Sequence, residues 1–321
     1  AVEVLKKSGA AKAEKKAARI AAEGIAKVAI DGNTAVVVEV NSETDFVAKN
    51  AIFQEFVQAV ADKALTVDTE KAGDGEDVVS ILDMKADLDD KILKIGEKIS
   101  IRRFEKVTAD VVASYIHGGG RIGVLVAGNG ASDDAAKEAL TNIAMQIAAM
   151  NPQYISRDEI SADELAKMKE ITIDSALNDP FSLPKPVLSK LIEKAVAGVW
   201  SAEDVAIYEE KKSNMNFLPN FLSKEAKAQL AEIACADKEE ISGNKIFSGL
   251  VEGRISKQMK EICLLDQVYV KAEDGKQTVA AYLKSVNPAL KIAKFVRFEV
   301  GEGMEKKNED FAAEVAKQMN V

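Results

Sequence analysis

The stretch that decides the fold runs from Ile25 to Val40, IAKVAIDGNTAVVVEV, and continues as NSETDFVAK to Lys49. Two β-prone runs, Ile25–Ile30 and Thr34–Val40, flank Asp31-Gly32-Asn33. Asp-Gly-Asn between two β-prone runs is a strong hairpin signal, so the stretch predicts a β-hairpin. Beyond it, Ile52, Phe53, Phe56, Val57, Val60 and Ala64 recur at helical spacing, so Ile52–Leu65 predicts an amphipathic helix. Between strand and helix lies a short polar corner, Thr44-Asp45-Phe46-Val47-Ala48-Lys49. The acid and the aromatic there have two readings. Asp45 is the helix N-cap with Phe46 folded back as a staple on the first turn, or the pair is a probe presented on a rigid corner to a partner protein.

Working outward, Thr66–Asp77 carries Gly73 and Gly75 among acids and reads as a loop, Val78–Ile95 as a second helix, and Ile99–Glu105 as a strand. The same plan then recurs. Val111–Ile116 and Arg121–Ala127 form a second hairpin across His117-Gly118-Gly119-Gly120, and Asp133–Met150 forms a helix with Leu140, Ile143 and Ile147 inward and Pro152 as its stop. Phe295–Glu299 echoes Ile101–Glu105 as the closing strand. The reading is therefore α+β: two repeated small antiparallel sheets, each built as hairpin, helix and strand and each burying one face against its helix.

A long helical excursion splits the second copy. It opens with the capping-box sequence Ser161-Ala162-Asp163-Glu164, is broken at Pro180, Pro184 and Pro186, and continues through helices at Ser223–Ala234 and Gly249–Glu261. Trp200, Phe217, Phe221 and Leu222 supply its bulk, and a protrusion of this kind suits packing or oligomerisation better than catalysis. Lys276–Ser285 and Asp310–Met319 predict two further helices. At the front, Leu5–Gly24 is rich in Ala and Lys and predicts a basic helical linker, broken or capped near Gly9. The expected domains are 1–24 for that linker, 25–108 for the first core subdomain, 109–160 with 260–321 for the second, and 161–259 for the helical insert.

Composition narrows the function classes. A net charge of −9 opposes generic binding to nucleic-acid backbone, and the basic first helix lacks aromatics for base stacking. No uninterrupted apolar run approaches the length that spans a bilayer, and the charge balance suits a soluble protein, expected in the cytoplasm. The start, Ala1-Val2-Glu3-Val4-Leu5, has neither an initiating Met nor a signal-peptide core, which suggests a chain that begins inside a longer protein or was processed. Cys235 and Cys263 lack a CxxC spacing and His117 is the only histidine, too few soft ligands for structural zinc. Two isolated thiols of this kind are read as buried and reduced.

Enzyme motifs fail on inspection. His117-Gly118-Gly119-Gly120 looks like an esterase oxyanion loop, but there is no G-x-S-x-G and no second histidine to act as base. Gly275-Lys276-Gln277-Thr278 lacks the upstream glycine and the adjacent Ser or Thr of a phosphate loop. Neither a catalytic residue nor a cofactor or metal site is predicted, and the glycine run is better explained by hairpin geometry and close backbone approach.

Several stretches, in order along the chain, carry a family resemblance: Lys7-Ser8-Gly9-Ala10, Glu39–Lys49, Gly120–Val126, Ile143–Ala149, Val251-Glu252-Gly253-Arg254 and Phe298–Glu305. Together they resemble elongation factor Ts. The resemblance implies a guanine-nucleotide exchange factor for elongation factor Tu in translation elongation, with no covalent chemistry and no nucleotide of its own. It implies a core of two subdomains with antiparallel sheets and a helical coiled-coil protrusion. It also implies that Asp45 and Phe46, with Thr44 and Val47 beside them, enter the GTPase domain near its magnesium and phosphates, and that Ile122 and Gly123 meet the same domain. Gln146 stands where some members have a contacting histidine; it keeps hydrogen-bonding capacity but takes no charge.

Two further departures are expected. The family's N-terminal helical module is absent before Ala1, and Ile173–Lys245 is longer than the usual protrusion, which bears on contacts to the factor's other domains and on a homodimer or a 2:2 complex. The rivals from other classes are a ribosome- or RNA-associated structural protein, suggested by the basic first helix, and a dimerisation protein, suggested by the helical arm.

Overall fold

The computed structural model describes residues 14–73 and 77–305. These fall into two units, divided between Ile155 and Ser156 and between Asp266 and Gln267.

The first unit holds both sheets. Strands β1 (Glu23–Asp31) and β2 (Thr34–Ser42) form the expected hairpin, Asp31 opposite Thr34, with Gly32 at φ 56°. On its other side β2 pairs with β4 (Ile99–Thr108), which also carries a two-residue β3 (Lys71–Ala72), giving the order β1-β2-β4-β3. The second sheet has β5 (Val111–His117), β6 (Ile122–Asn129) and β7 (Lys291–Glu299) in that order. In both sheets the late strand lies against the second strand of the hairpin, so the repeat read from the sequence is present in the topology. All named pairings are antiparallel.

Helices α1 (Asp45–Ala48), α2 (Ala51–Thr66), α3 (Val78–Ile81) and α4 (Lys85–Ile95) accompany the first sheet, and α5 (Asp134–Met150) the second. Side chains alternate along a strand, and here both sides are used. Val36, Val38 and Val40 pack into one cluster with Phe53, Phe56, Val57 and Val60 of α2. Ala35 and Val37, on the opposite face, join Val107, Val112, Leu125, Ala127, Val296 and Phe298 in a cluster between the sheets. The layers therefore run helix, sheet, sheet, helix, and each sheet buries two faces instead of the one expected. Eight consecutive residues of β2, Ala35 to Ser42, are buried as a result. Each fully buried Val or Phe adds about 1.5–3 kcal/mol of hydrophobic stabilisation, which makes this double packing the main source of cohesion.

One buried residue of β2 is charged. Glu39 is 0% exposed. Its carboxylate accepts from Arg103 Nε at 2.6 Å, Arg102 Nη1 at 3.1 Å, Asn41 Nδ2 at 3.0 Å and the Gly301 N–H at 2.8 Å. The two guanidinium groups reach on to the carbonyls of Glu299 and Glu302, and Arg103 lies 4.1 Å above the Phe298 ring. Gly301, at φ 74°, sits so close to Ala22 O that an added Cβ would lie 2.4 Å from it. The turn after β7 is thus fastened to the first sheet.

Several local expectations are corrected. Residues 17–22 are not helical: Lys98 Nζ donates to the carbonyls of Ala17 and Arg19, and Arg19 pairs with Glu43, so long-range contacts override Ala-Lys propensity. The expected helix Val78–Ile95 is broken between α3 and α4, where Asp83 takes φ 51° so that both Leu82 and Met84 enter the core. Strand β3 replaces part of the expected loop Thr66–Asp77, with buried Ala72 on β4. Ile52 is exposed, unlike the rest of the α2 stripe. The expectations for Leu5–Ala13, Gly75 and Asp310–Met319 lie outside the described residues.

The second unit is helical: α6 (Ala162–Asn178), α7 (Lys185–Gly198), α8 (Ala202–Lys211), α9 (Lys224–Ala236), α10 (Lys238–Ser242) and α11 (Lys245–Ile262). The Ser161–Glu164 capping box forms. Leu177, Leu191, Ile192, Leu230 and Phe247 make the core with Trp200, whose indole N–H donates to Ala226 O at 2.9 Å. Phe217 and Phe221 do not contribute the expected bulk. Leu218 and Leu222 of the same stretch take the inward positions and leave both rings more than half exposed. Cys263 is buried and Cys235 exposed, and neither is bridged. In the first unit, α12 (Val279–Val286) starts later than expected, behind Thr278 as N-cap.

Gly123 is buried, and a Cβ there would lie 3.0 Å from both Ala26 Cβ and Val37 Cγ2 of the facing sheet. Gly123→Val forces the sheets apart and should cost about 1–3 kcal/mol of stability, as overpacking does. Thermal melting of the purified variant checks this; an unchanged melting temperature would contradict the packing assignment.

Candidate partner-binding corner

The chain leaves β2 at Ser42 and turns at once into the single-turn α1. Thr44, not Asp45, is the N-cap: it is extended (φ −128°, ψ 155°) and its Oγ1 accepts from the Val47 N–H at 3.4 Å. That shift of one residue decides the fate of the aromatic. Phe46 falls on the outer side of the turn and is 79% exposed, while Val47 packs against the core and Ala48 is buried. The staple reading of Phe46 is therefore overturned. A large apolar side chain held this far into water contributes little to folding.

The corner is braced from outside its own sequence. Glu97, between α4 and β4, accepts from the backbone N–H groups of Glu43 and Thr44 at 3.1 Å each and from Thr44 Oγ1 at 2.7 Å. In return Glu43 Oε1 accepts from the Lys98 N–H at 2.6 Å. Ser42 Oγ donates to Thr44 O at 2.9 Å. Asp45 pairs with Lys49 at 2.9 Å, and the hydrogen bond and charge of that lysine hold its carboxyl below the usual carboxylate range. The corner thus presents an ionised acid beside an exposed ring.

The second hairpin approaches the same strand. Its tip docks on β1, where Ala26 N–H donates to Gly120 O at 2.7 Å, and α1 also packs against β1. Ala26 lies three residues from Glu23, which pairs with Ser42 at the start of the corner, so tip and corner are spaced by roughly 10 Å along the strand. Ile122 is half-buried beyond the tip. Gly123 and Gln146, in contrast, are not surface groups. Gln146 is 0% exposed, and its amide is spent internally: Nε2 donates to Gln267 Oε1 and Val268 O, and Oε1 accepts from the Val270 N–H at 2.8 Å. It pins the returning chain onto α5, which does not fit a direct contact with a partner.

Other motifs find local explanations. The backbone N–H groups of Lys276 and Gln277, the ones a phosphate would use, are taken by Asp274 Oδ1 at 2.8 and 2.9 Å. His117 is exposed and meets the Tyr115 hydroxyl at 3.1 Å. Among the described residues no cluster of three or more His, Cys, Asp or Glu is placed to hold a metal ion.

A family model described as Elongation factor TS matches residues 43–302, from the corner to the Glu302 turn. The chain belongs to the elongation factor Ts family. Proteins named Elongation factor Ts from Clostridioides difficile (strain 630) and Limosilactobacillus reuteri (strain DSM 20016) are 39% and 36% identical to it. These alignments cover 99% and 100% of this chain and 88% of each relative. The stretches quoted for the family in the sequence, Glu39–Lys49 and Phe298–Glu305, meet in three dimensions through the Glu39 carboxylate and the Gly301 N–H.

Sequence reading missed Glu97. It follows Gly96, the left-handed cap of α4, and only the folded chain shows that its side chain reaches the corner. It also missed the internal role of Gln146. Gln146→Leu leaves the Val270 N–H without its acceptor and should cost about 1–3 kcal/mol of stability. Partner affinity, measured per folded molecule by titration calorimetry, should stay unchanged; a weakened affinity at full stability would restore Gln146 as a contact.

Proposed function

We propose that this chain is a guanine-nucleotide exchange factor that binds elongation factor Tu carrying GDP and promotes GDP release during translation elongation. The observation that carries the reading is Phe46, 79% exposed on a corner braced by Glu97 and Thr44, in a chain of this family. No helix among the described residues is long and apolar enough to cross a membrane, and the site of action proposed is the cytoplasm.

The mechanism is linkage, not covalent chemistry. A nucleotide bound at nanomolar affinity is held by roughly 12 kcal/mol and leaves slowly. A protein that prefers the empty GTPase weakens the nucleotide by the factor by which the nucleotide weakens it. Phe46 is the group proposed to enter the GTPase domain beside its magnesium and phosphates. Disturbing the metal removes much of the phosphate affinity, because the ion is the largest local charge. Thr44 and Val47 hold the ring in position, Asp45 supplies an ionised acceptor for partner N–H groups, and Ile122 adds apolar contact at the hairpin. Contacts to the other domains of elongation factor Tu, and assembly as a homodimer or a 2:2 complex, are assigned to the helical unit.

Two outcomes are expected. Excess GDP with magnesium should dissociate the complex in a pull-down, by reciprocity; a complex indifferent to nucleotide would indicate a scaffold. Phe46→Ala should leave thermal melting nearly unchanged and slow stimulated release of fluorescent GDP about tenfold or more, since interface aromatics commonly contribute at least ~1.4 kcal/mol. Unaltered release by Phe46→Ala would remove the ring from the mechanism.

A further inference from the structure

We propose that Glu97 is the positioning residue of the exchange corner, holding Phe46 in its working place before the partner arrives. This rests on the exchange-factor reading of Phe46. The ladder between β2 and β4 ends where Ser42 faces Ile99, and the next N–H groups along the chain are those of Glu43 and Thr44. The Glu97 carboxylate, two residues before Ile99, takes both of them and the Thr44 hydroxyl as well. Glu43 returns the contact by accepting from the Lys98 N–H. Side chains thus continue the pairing of two strands past the last backbone rung.

The helix that carries Phe46 makes this brace necessary. α1 is four residues long, and one turn of helix is not stable by itself because nucleation fixes several torsions for one hydrogen bond. Phe46 adds nothing, since its ring lies in water, and the Asp45–Lys49 pair is solvent-exposed and screened. What fixes the turn is its N-cap, Thr44, together with the packing of Val47 on the core and the burial of Ala48. Thr44 is in turn fixed by Glu97. The same three residues, Gly96 to Lys98, also receive the segment before β1: Lys16 Nζ donates to Gly96 O, and Lys98 Nζ to the carbonyls of Ala17 and Arg19. Glu97 therefore acts from a segment that is itself anchored, and the hydrogen bonds that its carboxylate accepts are of the stronger, charge-assisted kind.

The test uses stimulated release of fluorescent GDP from elongation factor Tu, with Glu97→Ala, Glu97→Gln, Phe46→Ala and the double variant Glu97→Ala/Phe46→Ala. Loosening the corner means that its residues must be ordered on binding, so Glu97→Ala should slow release roughly tenfold at temperatures far below melting. Glu97→Gln should recover most of the rate, because its amide oxygen accepts the two N–H groups and its NH2 meets Thr44 Oγ1. The double variant should be no slower than Phe46→Ala alone, since Glu97 acts through the ring. Amide hydrogen exchange at Glu43 and Thr44 in the free protein should accelerate in Glu97→Ala and not in Phe46→Ala. Should Glu97→Ala fold poorly, Glu97→Asp, whose carboxylate is drawn back from the corner by one methylene while the Thr44 cap is kept, should slow release in the same direction, and normal release by it would overturn the assignment.

Normal release by Glu97→Ala, or slowing that multiplies with that of Phe46→Ala, would overturn the assignment while leaving the role of Phe46 intact. Normal release by Phe46→Ala would overturn the corner reading itself and this inference with it.

Discussion

A carboxylate sealed from water must be compensated, and Glu39 is the point at which this fold meets that requirement. An unpaired charge there would be prohibitive, so two arginines of β4, the Asn41 amide and the Gly301 N–H converge on it. Because Gly301 follows β7, the compensation ties the last strand of the second sheet to the central strand of the first. The residues that answer to Glu39 lie up to 262 positions from it along the chain. The cluster between the sheets, with Val37, Leu125 and Phe298, supplies the larger share of cohesion. Glu39 sets the register in which that cohesion is obtained, since a slip of one residue would leave the charge facing valines.

The site depends on this rigidity. β2 runs from Glu39 to Ser42 with every residue buried, and the corner leaves directly from its end. A ring offered to a partner from a yielding segment would spend much of the contact energy on ordering. Here the strand, the Thr44 cap and the Glu97 carboxylate do the ordering in the free protein. Among the described residues Phe46 is the most exposed large apolar side chain, an exception to apolar burial greater than those at Ile52, Phe217 and Phe221. Such exceptions gather at functional positions.

Much of the architecture was legible in the residues. Asp31-Gly32-Asn33 announced its hairpin, the spacing of Phe53, Phe56, Val57 and Val60 its helix, and the likeness of Ile101–Glu105 to Phe295–Glu299 the repeat. What could not be read was set by distant contacts. Two residues of β3 carry no periodicity, and pairing with β4 makes them a strand. The break at Asp83 follows from the need to bury both Leu82 and Met84. At the corner, Thr44 and Asp45 are both good caps by type. Glu97, 53 residues along the chain, selects Thr44, and that choice turns Phe46 outward. Gly123 and Gln146 lie in stretches that carry the family resemblance, yet their side of the molecule faces inward, which sequence position alone does not reveal.

In the proposed exchange complex Phe46 trades water for the GTPase domain of elongation factor Tu. Fluorine NMR of 4-fluorophenylalanine incorporated at position 46 tests it most directly. The expected result is a solvent-sensitive resonance in the free protein, a shifted and solvent-insensitive one with nucleotide-free elongation factor Tu, and return of the first on adding GDP with magnesium. A resonance that stays solvent-sensitive and unshifted in a complex formed at full occupancy would contradict it.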